Sequence, residues 1–391
     1  MRAFVGSALL LLVLTSSGAT GCKKENPAGA TAKSGFKVGV VTDVGGRGDQ
    51  SFNDSALRGL ETWAAGKKLE GGRYQPLSVE ALRDSIPEAL RPLGIHVLPV
   101  TPLVLQSKSQ EDYEPNLQLL VDQGAALTVG TGYLLEAGVQ AAARANPTAH
   151  FLLIDSVLLD AQGKPFSLSN VRTVLFREEE GSFLVGALAG MVTRSGRVAF
   201  VGGMQVPLIQ KFEAGFRAGL AATNPKAAKG VFIQYTGSFD NVSAGKQVAA
   251  DVLAKGADVV FHAAGSDGLG VIQAVKEAHA GGKVVWAVGV DSDQSHLAPE
   301  AVLTSMVKHV DLAVWEAARD LTEGKLAGGY VSLGLKEAGV ALAPVRVEFA
   351  GKAAALAKVD ALRTRIVAGE LHIPASPAEV PAFAARYQAA P

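Results

Sequence analysis

The sequence predicts an α/β protein made of two doubly wound, Rossmann-like lobes around a ligand cleft. Three observations carry this. Short apolar, β-branched runs alternate with amphipathic helical patterns along most of the 391 residues, the order expected of parallel sheets with helices on both faces. Ten such runs exceed one comfortable open sheet. A charged interruption, Arg177-Glu178-Glu179-Glu180, cuts an apolar stretch near the middle of the chain.

Taken in order, the candidate strands are Lys37–Thr42, His96–Val100, Leu127–Val129, Phe151–Ile154, Val171–Leu175, Arg197–Gly202, Gly230–Gln234, Val259–His262, Val284–Val290 and Val302–Ser305. Helical periodicity marks the helix opened by Ser51, the candidate N-cap, and then Leu117–Gln123, Glu136–Ala145, Gly181–Met191, Lys211–Ala221, Ala244–Lys255, Leu269–Ala280 and Val310–Gly324. One seam falls at Phe176–Gly181 and a second after Asp291, where the chain is expected to return to the first lobe. This gives lobe 1 as residues 36–176 with about 303–345, lobe 2 as 177–302, and a C-terminal segment, 346–391, packed on the lobes. The proline-studded, weakly periodic stretch at about 70–102 is read as an insertion on lobe 1. Two lobes joined by several crossings are the architecture of type I periplasmic binding proteins, whose lobes close by hinge bending.

The N-terminus sets the compartment. Arg2 precedes an apolar core, Leu9 to Leu14, too short to span a bilayer, and small residues lead to Cys22. This resembles a bacterial lipoprotein signal of residues 1–22, with Cys22 lipidated and held at a membrane of the cell envelope, facing the periplasm or exterior. Cys22 is the one cysteine of the chain, which excludes an internal disulfide and a cysteine metal cluster. Residues 23–35 lack apolar side chains for a core and read as a flexible tether.

With 37 basic and 37 acidic residues and no strong clustering of either sign, the chain offers no basic stripe for nucleic acid. The body is expected to be a monomer. Walker, G-x-S-x-G and H-E-x-x-H patterns are missing from the sequence, and its seven histidines show no metal-ligand spacing. These features argue against an enzyme and imply neither cofactor nor metal. Without a helix-turn-helix ahead of Lys37, a sugar-sensing transcription regulator is also disfavoured.

The binding signals sit at strand ends, where ligands lie in open parallel sheets. Asp43 ends the first strand, and its carboxylate either accepts from ring N–H groups or caps the following helix. Phe52 and Asn53 open that helix; the ring is either a stacking surface or core. Glu136, after Gly130-Thr131-Gly132-Tyr133, is either a polar contact or an acid favouring the helix dipole. Phe212 and Phe216 share one helical face, so one of them faces the cleft and the other packs in the core. The Ala263 to Gly270 turn, including Gly265, lets backbone amides approach a ligand but lacks dinucleotide spacing. Asp291 begins an apparent calcium loop, yet His296 and Val302 occupy the glycine and glutamate positions, which excludes calcium. Its carboxylate suits two hydroxyl donors, and Lys308 is either a second partner to those hydroxyls or an exposed lysine.

Together Asp43 with Ser51-Phe52-Asn53, Ser107 to Tyr113, Gly130 to Tyr133, Glu179 to Phe183, Lys211 to Phe216, Gly265 to Gly270, Gly289 to Gln294, Ser305 to Lys308 and Gly369 to Pro374 resemble the basic-membrane-protein family of lipoproteins, which includes purine-nucleoside receptors. The resemblance runs from about Lys37 to Pro374. It implies a lipid-anchored solute receptor that hands a nucleoside, with purines favoured, to an ABC permease of the inner membrane. It implies stacking by Phe52 and Phe212, base recognition by Asp43, Asn53 and Glu136, and ribose contacts by Asp291 and Lys308. Another ring-bearing ligand such as riboflavin, or a sugar, is the alternative. The insertion departs from the family pattern.

Overall fold

The computed structural model describes residues 35–389. The signal, Cys22 and residues 23–34 of the tether lie outside the described residues.

β1 (Phe36–Thr42) leads through a glycine-rich loop to α1 (Phe52–Leu57), which continues as a π-helical segment, Arg58–Ala64. The hairpin β2 (Lys67–Glu70) and β3 (Arg73–Pro76) follows, then α2 (Val79–Ser85) and β4 (Val100–Gln106). Next come α3 (Tyr113–Asp122), β5 (Ala125–Gly130), α4 (Glu136–Ala145), β6 (His150–Ile154), the short pair β7 (Leu158–Leu159) and β8 (Pro165–Phe166), and β9 (Val171–Phe176). After α5 (Glu178–Val192) the chain builds β10 (Val198–Gly202), α6 (Pro207–Thr223), α7 (Pro225–Lys229), β11 (Phe232–Tyr235), α8 (Val242–Ala254), β12 (Val259–Ala263), α9 (Asp267–Ala280), β13 (Trp286–Asp291) and β14 (Val302–Lys308). α10 (Val310–Thr322), β15 (Gly329–Leu333), β16 (Val340–Leu342), α11 (Lys352–Val367) and α12 (Val380–Ala389) complete it.

These strands form two six-stranded sheets, ordered β15-β9-β6-β5-β1-β4 and β11-β10-β12-β13-β14-β16, parallel except for β16. Central strands are covered on both faces, which is why β1 reads as an unbroken apolar run: Val38, Val40 and Val41 are all fully buried. In the second half, α5 packs on α6 through glycines. A Cβ at Gly186 would stand 2.2 Å from the Phe216 carbonyl oxygen, so larger residues would push the helices apart. The C-terminal helices pack on this half, with Phe383 set edge-on to Phe183.

The chain leaves the first sheet at Phe176 and returns later than the sequence reading placed it. β14 hydrogen-bonds β13 and β16, so residues 303–308, assigned to lobe 1 from sequence, lie in the second sheet. Only α10, packed on the Arg58–Ala64 turn, and β15 rejoin the first half, and β16 crosses back. The fourth strand runs from Val100 to Gln106, not His96–Val100. Pro102 within it marked a break in the sequence, but β4 is an edge strand, where a missing N–H is tolerated. β15 and β16 were not foreseen: one is a largely exposed edge and the other has three residues.

Candidate ligand-binding site between the two sheets

The C-terminal ends of both sets of strands face one cavity of about 550 Å³, mouth included. Asp43, Phe52, Asn53, Phe212, Gly265, Asp291 and Lys308 all line it. Glu136 does not: its Oε1 accepts from the Leu159 backbone N–H at 3.0 Å, tying α4 to β7 on the surface. Phe216 is core, packed against Phe200 and Phe261.

The first side of the cavity is the loop between β1 and α1. Ser51, expected as the helix cap, makes no capping bond. Asp49 does this instead, accepting from the N–H groups of Ser51 (2.9 Å), Asn53 (2.7 Å) and Asp54 (3.1 Å). Three consecutive-turn donors on one carboxylate satisfy amides that the helix itself leaves open. Asn53 spends both amide hydrogens inside the loop, on Asp43 Oδ1 (2.7 Å) and Asp49 Oδ2 (3.0 Å), while its oxygen accepts from the Asp43 N–H. In this arrangement Asn53 orients Asp43 and has no hydrogen left for a base. Asp43 Oδ1 also accepts from the Gly45 N–H at 2.9 Å, so Oδ2 is the oxygen open to the cavity. Burial pushes Asp43 up to about 6, against the pull of Asn53 and Gly45. Gly132, at φ +111°, lies against the Phe52 ring; a Cβ there would stand 3.3 Å from it.

Against this loop lies a charge cluster. Asp155 follows β6, Asp291 ends β13, and both hold a left-handed backbone, with φ of 66° and 61°. Lys308, at the end of β14, points between them: its Nζ is 2.5 Å from Asp155 Oδ2, 3.6 Å from Glu178 Oε1 and 4.0 Å from Asp291 Oδ1. The same ammonium sits 4.7 Å from the Phe52 ring centre and 5.5 Å from that of Phe212. Such distances are favourable for a cation over a ring face. Burial opposes the charge on Lys308, but the carboxylates outweigh it and hold the ammonium well above the ordinary lysine range. Burial raises Asp291 to about 6 even with Lys308 and Ser51 pulling it down. Asp155 Oδ1 and Asp291 Oδ1 are buried without a hydrogen-bond partner among the described residues. Buried carboxylate oxygens of this kind are costly to leave unpaired and are matched to incoming donors.

The halves also touch beside the cavity. Ser51 Oγ donates to Asp291 Oδ2 at 2.7 Å, Gln294 Nε2 donates to the Gln50 carbonyl at 3.1 Å, and Tyr133 Oη lies 3.4 Å from Met204 Sδ. Sequence reasoning missed Asp49, Asp155 and Phe239, which also line the cavity. For Asp155 the signal was present, since an acid directly follows an apolar strand at Asp43, Asp155 and Asp291 alike. Phe239 lies in an irregular loop with no such cue.

Residues 36–376 match the family described as ABC transporter substrate-binding protein PnrA-like. The chain is 32% identical over 354 residues to the CD4+ T-cell-stimulating antigen of Listeria monocytogenes, covering 88% of this chain and 89% of that protein. It is 32% identical over 337 residues to the ABC transporter nucleoside-binding protein BmpA of Lactococcus lactis, covering 82% and 86%. Among solved structures, it is similar to a solute-binding protein of an ABC transporter system from Aeropyrum pernix, with 26% identity, a TM-score of 0.70 and coverage of 90% and 99%. The fold is that of type I periplasmic binding proteins, and the chain belongs to the PnrA-like family of ABC transporter substrate-binding proteins, which bind and deliver solutes without transforming them.

Proposed function

We propose that this protein captures nucleosides, purine nucleosides first, in the cavity between its sheets and passes them to an ABC permease while anchored through a lipid on Cys22. One observation carries the ligand class: the polar atoms left without partners in the cavity include three carboxylate oxygens, set beside phenyl rings. Asp43 Oδ2 belongs to the loop, and Asp155 Oδ1 and Asp291 Oδ1 belong to the cluster around Lys308. A ligand is therefore expected to bring donors to both the loop and the cluster. A base supplies N–H groups and a flat face for Phe52 and Phe212 to cover. A ribose supplies two hydroxyls for the carboxylates around Lys308. A sugar would meet the hydroxyl requirement but would bring only C–H faces to the rings and no ring N–H to Asp43. The relative from Lactococcus, named as nucleoside-binding, supports the same reading.

Isothermal titration of residues 35–391 with inosine, guanosine, adenosine, riboflavin and arabinose tests this. Micromolar or tighter binding of a purine nucleoside is expected, weakened by about 1–3 kcal/mol in Phe52→Ala if the ring stacks the base. Heat with riboflavin or arabinose alone would overturn the nucleoside reading. For the anchor, labelled lipid incorporated into the full chain and lost in Cys22→Ala is the expected result.

A further inference from the structure

The insertion supplies a support for the ligand loop. Arg47 stands at the centre of that loop, between Gly46 and Gly48, both at positive φ. Glycines on either side give the backbone little stiffness of its own. Arg47 is instead held from behind. Its Nη1 and Nη2 donate to Glu61 Oε2 at 2.9 Å and Oε1 at 2.7 Å, a two-pronged ion pair with a carboxylate that is only 5% exposed. Its backbone N–H donates to Gln106 Oε1, on the last residue of β4. Glu61 belongs to the π-helical turn and is gripped a second time by the Tyr74 hydroxyl, from β3. The Tyr74 ring is part-buried, and burial together with Glu61 raises its hydroxyl well above the tyrosine range, so it remains a donor.

We propose that the β2–β3 hairpin is part of the binding apparatus, with Tyr74 and Glu61 as positioning residues that fix Arg47 and, through it, the loop carrying Asp43 and Phe52. No residue of the hairpin lines the cavity. It lowers the number of conformations the loop must give up on binding. Loss of the Tyr74 hydroxyl frees Glu61 to rotate, loosens the two-pronged pair and lets the glycine-flanked segment move. The affinity part of this inference rests on the nucleoside reading, while the effect on the loop does not.

The test joins hydrogen–deuterium exchange of the ligand-free protein to inosine titration for wild type, Tyr74→Phe, Glu61→Gln and, as a control on the same hairpin, Gln75→Ala, whose side chain is exposed. Exchange at the amides of Gly45 to Ser51 is expected to rise severalfold in Tyr74→Phe and Glu61→Gln, with the rest of the sheet unchanged. The dissociation constant should rise roughly three- to tenfold, the range for one hydrogen bond, while Gln75→Ala changes neither. Unchanged loop exchange in both variants overturns the inference. So does a uniform rise across the protein with a lowered melting temperature, which would make the hairpin a general stabiliser. If wild type binds no nucleoside, the nucleoside reading fails, and the loop exchange still decides the role of the hairpin.

Discussion

The two sides of the cavity are built on opposite principles. The loop from Asp43 to Asn53 closes its own hydrogen bonds: Asp49 caps the helix, Asn53 binds both aspartates, and one carboxylate oxygen of Asp43 is left over. The cluster at Asp155, Glu178, Asp291 and Lys308 does the reverse. Three buried carboxylates crowd the Lys308 ammonium, with Lys211 reaching only Glu178, two of the acids hold left-handed backbones, and oxygens on all three lack hydrogen-bond partners among the described residues. A satisfied loop presents one group in a fixed direction. An over-supplied cluster stores unfavourable charge that hydroxyl donors would relieve, and strain of this kind persists at sites where a ligand completes the structure.

If that contrast is right, the largest effect belongs to the cluster. Lys308→Met removes the ammonium between Asp155 and Asp291 and leaves those buried carboxylates facing one another, which should cost about 3–5 kcal/mol of folding stability in urea unfolding. Adding Asp155→Asn to the same chain should recover a good part of the loss, because it removes the carboxylate nearest the ammonium. Equal stability of single and double variants would mean that the cluster is not coupled. On the loop side, Asn53→Ala should weaken ligand binding by about 1–3 kcal/mol by leaving Asp43 misdirected and two carboxylates short of donors. Its melting temperature should fall less than that of Lys308→Met. A reversal of that order would end the contrast between a satisfied loop and a strained cluster.

Acid separates ligand-free stability from binding. Asp43 and Asp291 titrate at about 6 in the folded protein against 3.8 for the unfolded group. Raised values mean that protonation favours the folded state: the contribution is complete below 3.8 and lost as pH rises through about 6. Moving from pH 7.5 to 5 should therefore stabilise the ligand-free protein through these two groups by on the order of 1 kcal/mol each. Nucleoside affinity should fall over the same interval, since a protonated Asp43 no longer accepts from a base N–H with full charge. Thermal melts with and without inosine at both pH values read the two trends together. Parallel loss of stability and affinity on acidification would count against both assignments.

What could be read from the sequence follows the same division. Strands buried on both faces announce themselves as apolar runs, and an acid placed directly after one falls at the cavity by geometry. Asp43 and Asp291 were legible for that reason, and Asp155 obeyed the same rule unnoticed. Lys308 was legible only as a residue, because the sequence placed its strand in the wrong half. β14 reaches the second sheet through long-range pairing with β13, which no local pattern records. Pro102 hid β4, since its tolerance depends on an edge position that only the assembled sheet defines. Ser51 resembled a cap, but the real cap, Asp49, lies two residues earlier in an irregular loop. Its partners become apparent only once the backbone amides converge on it. Asn53 lines the cavity, while its commitment to Asp43 and Asp49 could not be seen without their positions.

Glu136 gives the smallest effect. Its place after the Gly130-Thr131-Gly132-Tyr133 turn suggested a base contact, and as the first residue of α4 it also suits the positive end of the helix dipole. In the structure Glu136 binds the Leu159 N–H, away from the cavity, and α4 turns its buried face, Val139 and Ala142, to the first sheet's covering layer. Glu136→Gln keeps a side-chain oxygen for Leu159 and removes only the charge at the helix start, about 0.3–1 kcal/mol in general for an exposed site. Inosine affinity should stay within twofold of wild type, with a melting point lowered by at most a few degrees. A tenfold loss of affinity at unchanged stability would return Glu136 to the site, and with it a ligand pose reaching beyond Tyr133 toward β7.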